Sequence, residues 1–350
     1  MSLARAFAAT LAFVPMLVAG AAPAATLLVA PNGVDSGGCG PKGTPCRTIT
    51  RAIANAGIDD TVVVAPGRYG DTNGDLAISG PNEETPNVNG CNCILEIGKR
   101  VTVVSRDGAA ATVIDGGKSN LSDTIRLSAD GAVFGKKNKG FTITNGPSAA
   151  AGLLVIANGT TVTGHLFIDN PSHGIALEGS RNLVTASRLF SKNGDGMLVT
   201  GEDNTITETA ASGGAGFSGS GFNISGNRNT LRGVLATGHA IGISLLGNGH
   251  TVSGSVVVQN TRAGIDLAGT GSSAVVAKST MHSNGILFLD NCGLSLSGTN
   301  STVVATGNYW GAPTGPGSDP ADTACITTGS TATTTPFATK EHKTPTKPLR

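Results

Sequence analysis

Apolar and polar positions alternate in short strings through the second half of the chain, and each string opens on a glycine followed by an apolar residue. The pairs are Gly152-Leu153, Gly174-Ile175, Gly196-Met197, Gly221-Phe222, Gly242-Ile243, Gly264-Ile265 and Gly285-Ile286. Successive glycines lie 22, 22, 25, 21, 22 and 21 residues apart. A short fixed period signals stacked copies of one unit, each unable to bury its apolar face alone. Within a unit the alternation has period two, as in Ile175/Leu177, Met197/Val199, Phe222/Ile224, Ile243/Leu245 and Ile265/Leu267, so these residues are the predicted core. A second strand follows six to eight residues on, as in Asn204-Thr205-Ile206, Asn229-Thr230-Leu231 and His250-Thr251-Val252. About three short strands per unit predict one coil of a parallel β-helix, advancing about 4.8 Å per coil. The predicted fold is all-β: a right-handed parallel solenoid of about ten coils, the hand following from the strong preference of parallel connections. Asn170, Asn193, Asn260 and Asn284 recur near the turn before the next coil, where side-chain amides can bond along a ladder.

The first half carries the same pattern less regularly. Thr26 to Ala30 and Thr61 to Ala65 predict strands, and Ile49, Ala52, Ile53 and Ala56 fall at helical spacing before Gly57. That helix suits an N-terminal cap over an otherwise open solenoid end, so residues 26–70 are the cap and first coil. Residues 71–93 are a polar insertion, 94–307 the coils and 308–325 a C-terminal cap built on Tyr309 and Trp310. Residues 326–350 are rich in Thr, Pro and Lys and predict a mobile tail, with a closing strand at 336–338 as the alternative. At the other end, Arg5, the apolar run 6–18 and Ala22-Pro23-Ala24 make residues 1–25 a secretory signal peptide, cut after Ala24 or Ala25. The protein is therefore expected to be secreted, extracellular or periplasmic, with no membrane span.

Composition narrows the function. Glycine at 51 of 350 residues and aromatics at 4% fit tight turns around small aliphatic cores. A net charge of +1 offers no basic face for nucleic acid. Six cysteines in an exported chain predict disulfides. Cys39 and Cys46 bracket one turn-rich segment, and Cys292 and Cys325 bracket the C-terminal end. Cys91 and Cys93 stand two apart, a separation that rarely has bridging geometry, and pairing of Cys46 with either is the alternative. Asp71, Asn73 and Asp75 alternate as oxygen ligands do in the first half of a calcium loop. Leu76 stands where such loops carry glycine, and Glu83 falls one step past the usual twelfth position. Calcium is accordingly the one cofactor considered; a polar surface loop is the competing expectation.

The units resemble the right-handed parallel β-helix repeats of the pectin-lyase-like superfamily. Two flanks resemble its secreted bacterial members: Pro45 to Ile49 with Thr61 to Tyr69, and Asn308 to Pro313 with Gly315 to Gly317. This resemblance implies the fold over roughly residues 26–325, and a polysaccharide or cell-surface partner for a monomer. It does not imply one reaction, since the superfamily holds lyases, hydrolases, epimerases and adhesins. Ser172-His173-Gly174 resembles an element of the superfamily's pectin hydrolases, which implies that His173 is a site residue. The paired-aspartate and Arg-x-Lys motifs of those enzymes are missing. The repeat register stacks His173 on Asp195, and Glu178 lies on the same unit, so the three are the candidate catalytic set. Arg181, Arg188 and Lys192, from the same ionisable stretch, are the candidate binding residues. Two functions follow as expectations: a lyase or hydrolase acting on polysaccharide, or a non-catalytic, adhesin-like binding module.

Overall fold

A computed structural model describes residues 23–343, apart from 81, 85, 87–89, 119, 148–150, 192, 215–218, 286–290 and 319. Three sheets run its length, each entirely parallel, with 12, 9 and 10 strands. The first runs from Thr26–Val29 to Thr331–Thr333, the second from Gly67–Gly70 to Thr280–His282, and the third from Cys93–Ile97 to Thr323–Ile326. The chain visits first, second and third sheet in turn, so each strand pairs with its counterpart one coil away. The result is a right-handed parallel β-solenoid with almost no helix. Its nine-stranded sheet limits the complete turns to nine among the described residues.

The register is the one that the alternation demands. Ile175, Met197, Phe222, Ile243 and Ile265 pair successively and continue to Leu294. All six side chains are fully buried, as are Leu177, Val199, Ile224, Leu245 and Leu267 in the parallel column. Full burial of one such side chain stabilises by about 1.5–3 kcal/mol. The recurring glycine has a steric cause: a Cβ on Gly196 would sit 2.6 Å from the Gly221 carbonyl oxygen of the next coil.

The seventh copy differs from its prediction. Gly264 stacks on Gly293, and the strand of that coil is Cys292–Leu296, not a string starting at Gly285. Asn284 still occupies its corner, but an insertion follows before the chain re-enters the sheet; Ile286 lies outside the described residues.

Stacked polar side chains hold the corners. Between third and first sheets, the Thr160, Asn182 and Asn204 amide N–H groups donate to Asn182, Asn204 and Asn229 Oδ1 at 2.7, 2.9 and 2.9 Å. Between second and third, His239, Asn260 and Asn284 N–H groups donate to Asn260, Asn284 and Asp322 carboxamide or carboxyl oxygens at 3.1, 3.1 and 3.2 Å. These bonds satisfy backbone groups that a sharp corner removes from the sheet ladder. Asn170 also works at this corner, accepting from Gly146 N–H.

At the N-terminal end the helix Ile49–Asn55 buries Ile49, Ala52 and Ile53 over the first coil. Thr48 caps it by accepting the Arg51 N–H, and the buried Glu84 carboxylate accepts those of Ile49 and Thr50 at 2.7 and 3.1 Å. At the other end Trp310 is fully buried. Residues expected to form a mobile tail from 326 instead continue the solenoid. Thr331–Thr333 pairs with Thr302–Val304, and Thr280 Oγ1 donates to the His342 carbonyl at 2.9 Å while accepting its N–H. Threonine-rich composition lacks the apolar signal of a core strand, but an end strand has only one side to bury. Residues 344–350 and the first 22 of the expected leader lie outside the described residues.

Cys39–Cys46 and Cys292–Cys325 are bridged, with Cα separations of 4.9 and 5.7 Å. Cys91 and Cys93 also bridge each other, at 5.2 Å, contrary to the expectation from an extended strand. Asn92 between them has φ 52, which reverses the chain and brings the two Cα atoms together.

Candidate functional site

The parallel register brings His173 onto Asp195, whose nearest atoms lie 3.6 Å apart (Nδ1 to Oδ2). That is an ion-pair approach without a hydrogen bond. The Asp195 carboxylate is committed elsewhere: Oδ1 accepts the Ser220 N–H at 2.6 Å and Oδ2 the Asn223 amide at 3.0 Å. Buried and doubly bonded, it fastens one coil to the next and has little freedom to act as a base. Glu178 is exposed beyond the far end of the His173–Leu177 strand, and no hydrogen bond or ion pair joins it to His173 or Asp195. The expected catalytic triad is therefore a stacked pair with a separate carboxylate.

The candidate binding residues are dispersed as well. Arg181 is exposed at the corner between third and first sheets, whereas Arg188 begins the second-sheet strand Arg188–Ser191. Lys192 lies outside the described residues. One coil turns through three directions, so neighbours in sequence face different ways. Glu202 and Asp203, from the same ionisable stretch, are paired with Arg228 one coil on at 2.8 Å each. Those bonds to the Arg228 guanidinium, and for Glu202 first the Asn227 amide, hold both carboxyls below the ordinary range.

His165 lies fully buried beneath the corner between first and second sheets, stacked 4.1 Å from Phe134. Its ring bonds to the Phe134 carbonyl and the Phe141 N–H. Burial lowers its pKa to about 4, against the pull of those bonds. Above it opens a cleft of about 650 Å³. Regular coils turn this corner in two residues, as at 164–165 and 186–187, but the earlier coils use the longer segments 106–111 and 135–141. The long turns wall the cleft and the short ones floor it. Lys137, Arg188 and Glu208 line it with Asp107, whose carboxylate pairs with Arg106 at 3.1 Å. No hydrogen bond or ion pair among the described residues engages the side chains of Lys137, Arg188 or Glu208. Sequence reasoning had Arg188 as a binding residue and Glu208 within the ionisable stretch, but not Lys137 or the cleft, because the walls come from irregular coils outside the clean repeat.

On the third sheet, Asp123 and Arg126 approach to 3.3 Å. Burial pushes the Asp123 carboxyl up, opposed by Arg126 and reinforced weakly by Glu178. In the insertion, Asp71 and Asp75 lie together with Glu83; Asn73 instead bonds Asp75, its amide donating to Oδ2 at 3.0 Å.

Residues 151–309 match the family described as the right-handed beta helix region. Among solved structures, the mannuronan C-5 epimerase AlgE4 A-module of Azotobacter vinelandii is 12% identical, covering 82% of this chain and 90% of its own with a TM-score of 0.49. A tailspike protein mutant of E. coli bacteriophage HK620 is 12% identical, with a TM-score of 0.51, and the match covers 87% of this chain but 59% of the tailspike. An alginate lyase from Paenibacillus sp. str. FPU-7 is 13% identical, covering 81% of this chain and 96% of its own, at 0.43. No curated protein matches the chain. The likeness to the tailspike shows the fold alone, and the matched region 151–309, the register and the stacked corners agree on it: this chain folds as a right-handed parallel β-helix.

Proposed function

We propose that this protein is an exported module that binds acidic polysaccharide through the cleft between its first and second sheets. The observation that carries this reading is the presence of Lys137 and Arg188 in that cleft with no partner for either cation among the described residues. Charge-assisted bonds from ammonium and guanidinium groups are the strongest available for a uronate carboxylate. Lys136 and Lys139 flank Lys137 on the same exposed turn and add to the local positive charge that a net charge of +1 conceals. A polymer suits the geometry, because the sheet surface continues past the cleft in steps of about 4.8 Å. Three disulfides accord with export, and no described helix is long and apolar enough to cross a membrane.

One observation favours chemistry in addition to binding: Asp123 is a carboxyl held up by burial beside Arg126, a setting that suits proton donation. Against it, the carboxylate stacked on His173 is locked by two hydrogen bonds, so binding is the primary reading. Affinity electrophoresis of the purified protein through gels with and without polyuronate or neutral polysaccharide tests the two together with assays for new unsaturation and reducing ends. Retardation by polyuronate, weakened by added salt, with neither product, is the expected outcome. Turnover sensitive to Asp123→Asn would move the function to the third sheet. Failure of every polysaccharide to retard the protein would end the binding reading.

A further inference from the structure

The insertion that leaves Gly67–Gly70 holds a carboxylate cluster that its own hydrogen bonds do not complete. Asp71 is fully buried; its Oδ1 accepts the Gly74 N–H at 2.6 Å and its Oδ2 the Leu76 N–H at 2.9 Å. Asp75 is exposed and accepts the Ala77 N–H at 2.9 Å. Glu83 is only 5% exposed. Its Oε2 accepts the Ser79 and Gly80 N–H groups at 2.7 and 2.6 Å, but its Oε1 is buried with no hydrogen-bond partner. One oxygen from each of Asp71, Asp75 and Glu83 lies within 4.8 Å of the other two.

Three carboxylates so close repel one another, and a buried oxygen without a partner adds a desolvation cost. The nearby cation does not offset this. Arg68 spends its guanidinium on the Asp115 carboxylate and the Asp71 backbone carbonyl. The backbone also leaves room for the cluster: a Cβ on Gly80 would sit 2.9 Å from Glu83 Cδ and would push that carboxylate aside. Leu76 adopts φ 66, the left-handed conformation for which calcium loops use glycine. Glu83, one residue beyond the customary spacing, then supplies the remote carboxylate that position twelve lacks. A bound divalent cation would resolve both the repulsion and the orphaned oxygen. An all-oxygen, all-carboxylate donor set selects a hard ion over zinc or copper.

We propose that Asp71, Asp75 and Glu83 form a calcium site. Its neighbours give it a structural consequence. Asn82 accepts from Arg47 and Glu84 from the first amides of the cap helix, so metal held by Glu83 fastens the insertion to the N-terminal cap. Affinities of extracellular calcium modules, about 10⁻⁴–10⁻³ M, set the expected range.

The test is calorimetric titration of calcium into the full chain stripped with EDTA, with thermal unfolding followed in parallel. One calcium per chain should bind, raise the melting temperature, and outcompete magnesium at least tenfold. Asp75→Asn, at an exposed position, should weaken calcium at least tenfold and leave the metal-free melting temperature unchanged. Glu83→Gln should weaken it as much. No uptake by folded wild type at about 10 mM, ten times the weak end of that range, would overturn the proposal. So would binding unchanged in Asp75→Asn, or magnesium binding as tightly as calcium.

Discussion

Asn204→Ala should destabilise the protein more than any change on an exposed strand position, although it removes no apolar contact. Asn204 is fully buried. Its Oδ1 accepts the Asn182 N–H at 2.9 Å and its Nδ2 donates to the Gly179 carbonyl at 3.0 Å. Truncation leaves that N–H and that C=O in a buried corner with nothing to bond. Each orphaned group costs about 1–3 kcal/mol, so the loss should be about 4 kcal/mol, lowered if water enters the vacated space. Asn204 also accepts nothing that the Asn229 side chain can replace, since Asn229 Oδ1 already serves the Asn204 N–H. Urea unfolding of wild type, Asn204→Ala and the half-buried neighbour Thr205→Ala as control measures the difference. A loss below about 1 kcal/mol, the net value of an ordinary hydrogen bond, would refute the argument that the corners depend on these amides.

Three further outcomes follow from the same structure. Replacing Cys292 and Cys325 with alanine opens a loop of sequence separation 33, and should cost about 4 kcal/mol by the chain-entropy estimate; an unchanged urea midpoint would contradict it. Burial lowers both His165 and His239 to about 4, below the ordinary 6.5, so the native state binds fewer protons than the unfolded chain in that window. Their contribution is complete above pH 6.5 and is lost as pH falls towards 4, by about 3 kcal/mol for fully buried His165, while the raised carboxyls Glu84 and Asp123 oppose it. NMR titration should find the His165 ring neutral at pH 5, and a midpoint near 6.5 would rule out the buried placement.

Much of the fold was legible because the repeat encodes it twice, in the glycine period and in the apolar alternation. Ile175, Met197 and Phe222 had to share a column once their glycines did. Gly285-Ile286 failed because the dipeptide imitates the motif where the coil has an insertion, and Gly293 takes the stacked position. The tail differs for another reason: strand pairing and the His342 bond hold it, and its apolar contribution is confined to the scattered Ala332 and Phe337, which pack on the core without any periodic signal. For the site, stacking of His173 on Asp195 followed from the register, but the commitments of Asp195 did not, since Ser220 and Asn223 reach it from the next coil. Arg188 was grouped with His173 by sequence proximity, yet their strands belong to the second and third sheets. The cleft depends on two long turns whose packing no periodicity specifies.

The most direct test of the functional account is the binding of an oligouronate to three proteins in parallel: wild type, Lys137→Ala/Arg188→Ala and His173→Ala. Calorimetry at low and moderate salt provides the readout. The account predicts binding by wild type that weakens with salt, a loss of at least tenfold in the Lys137/Arg188 variant, and no change in His173→Ala. Full binding by the Lys137/Arg188 variant together with loss in His173→Ala would contradict it, placing the ligand on the third sheet instead of in the cleft.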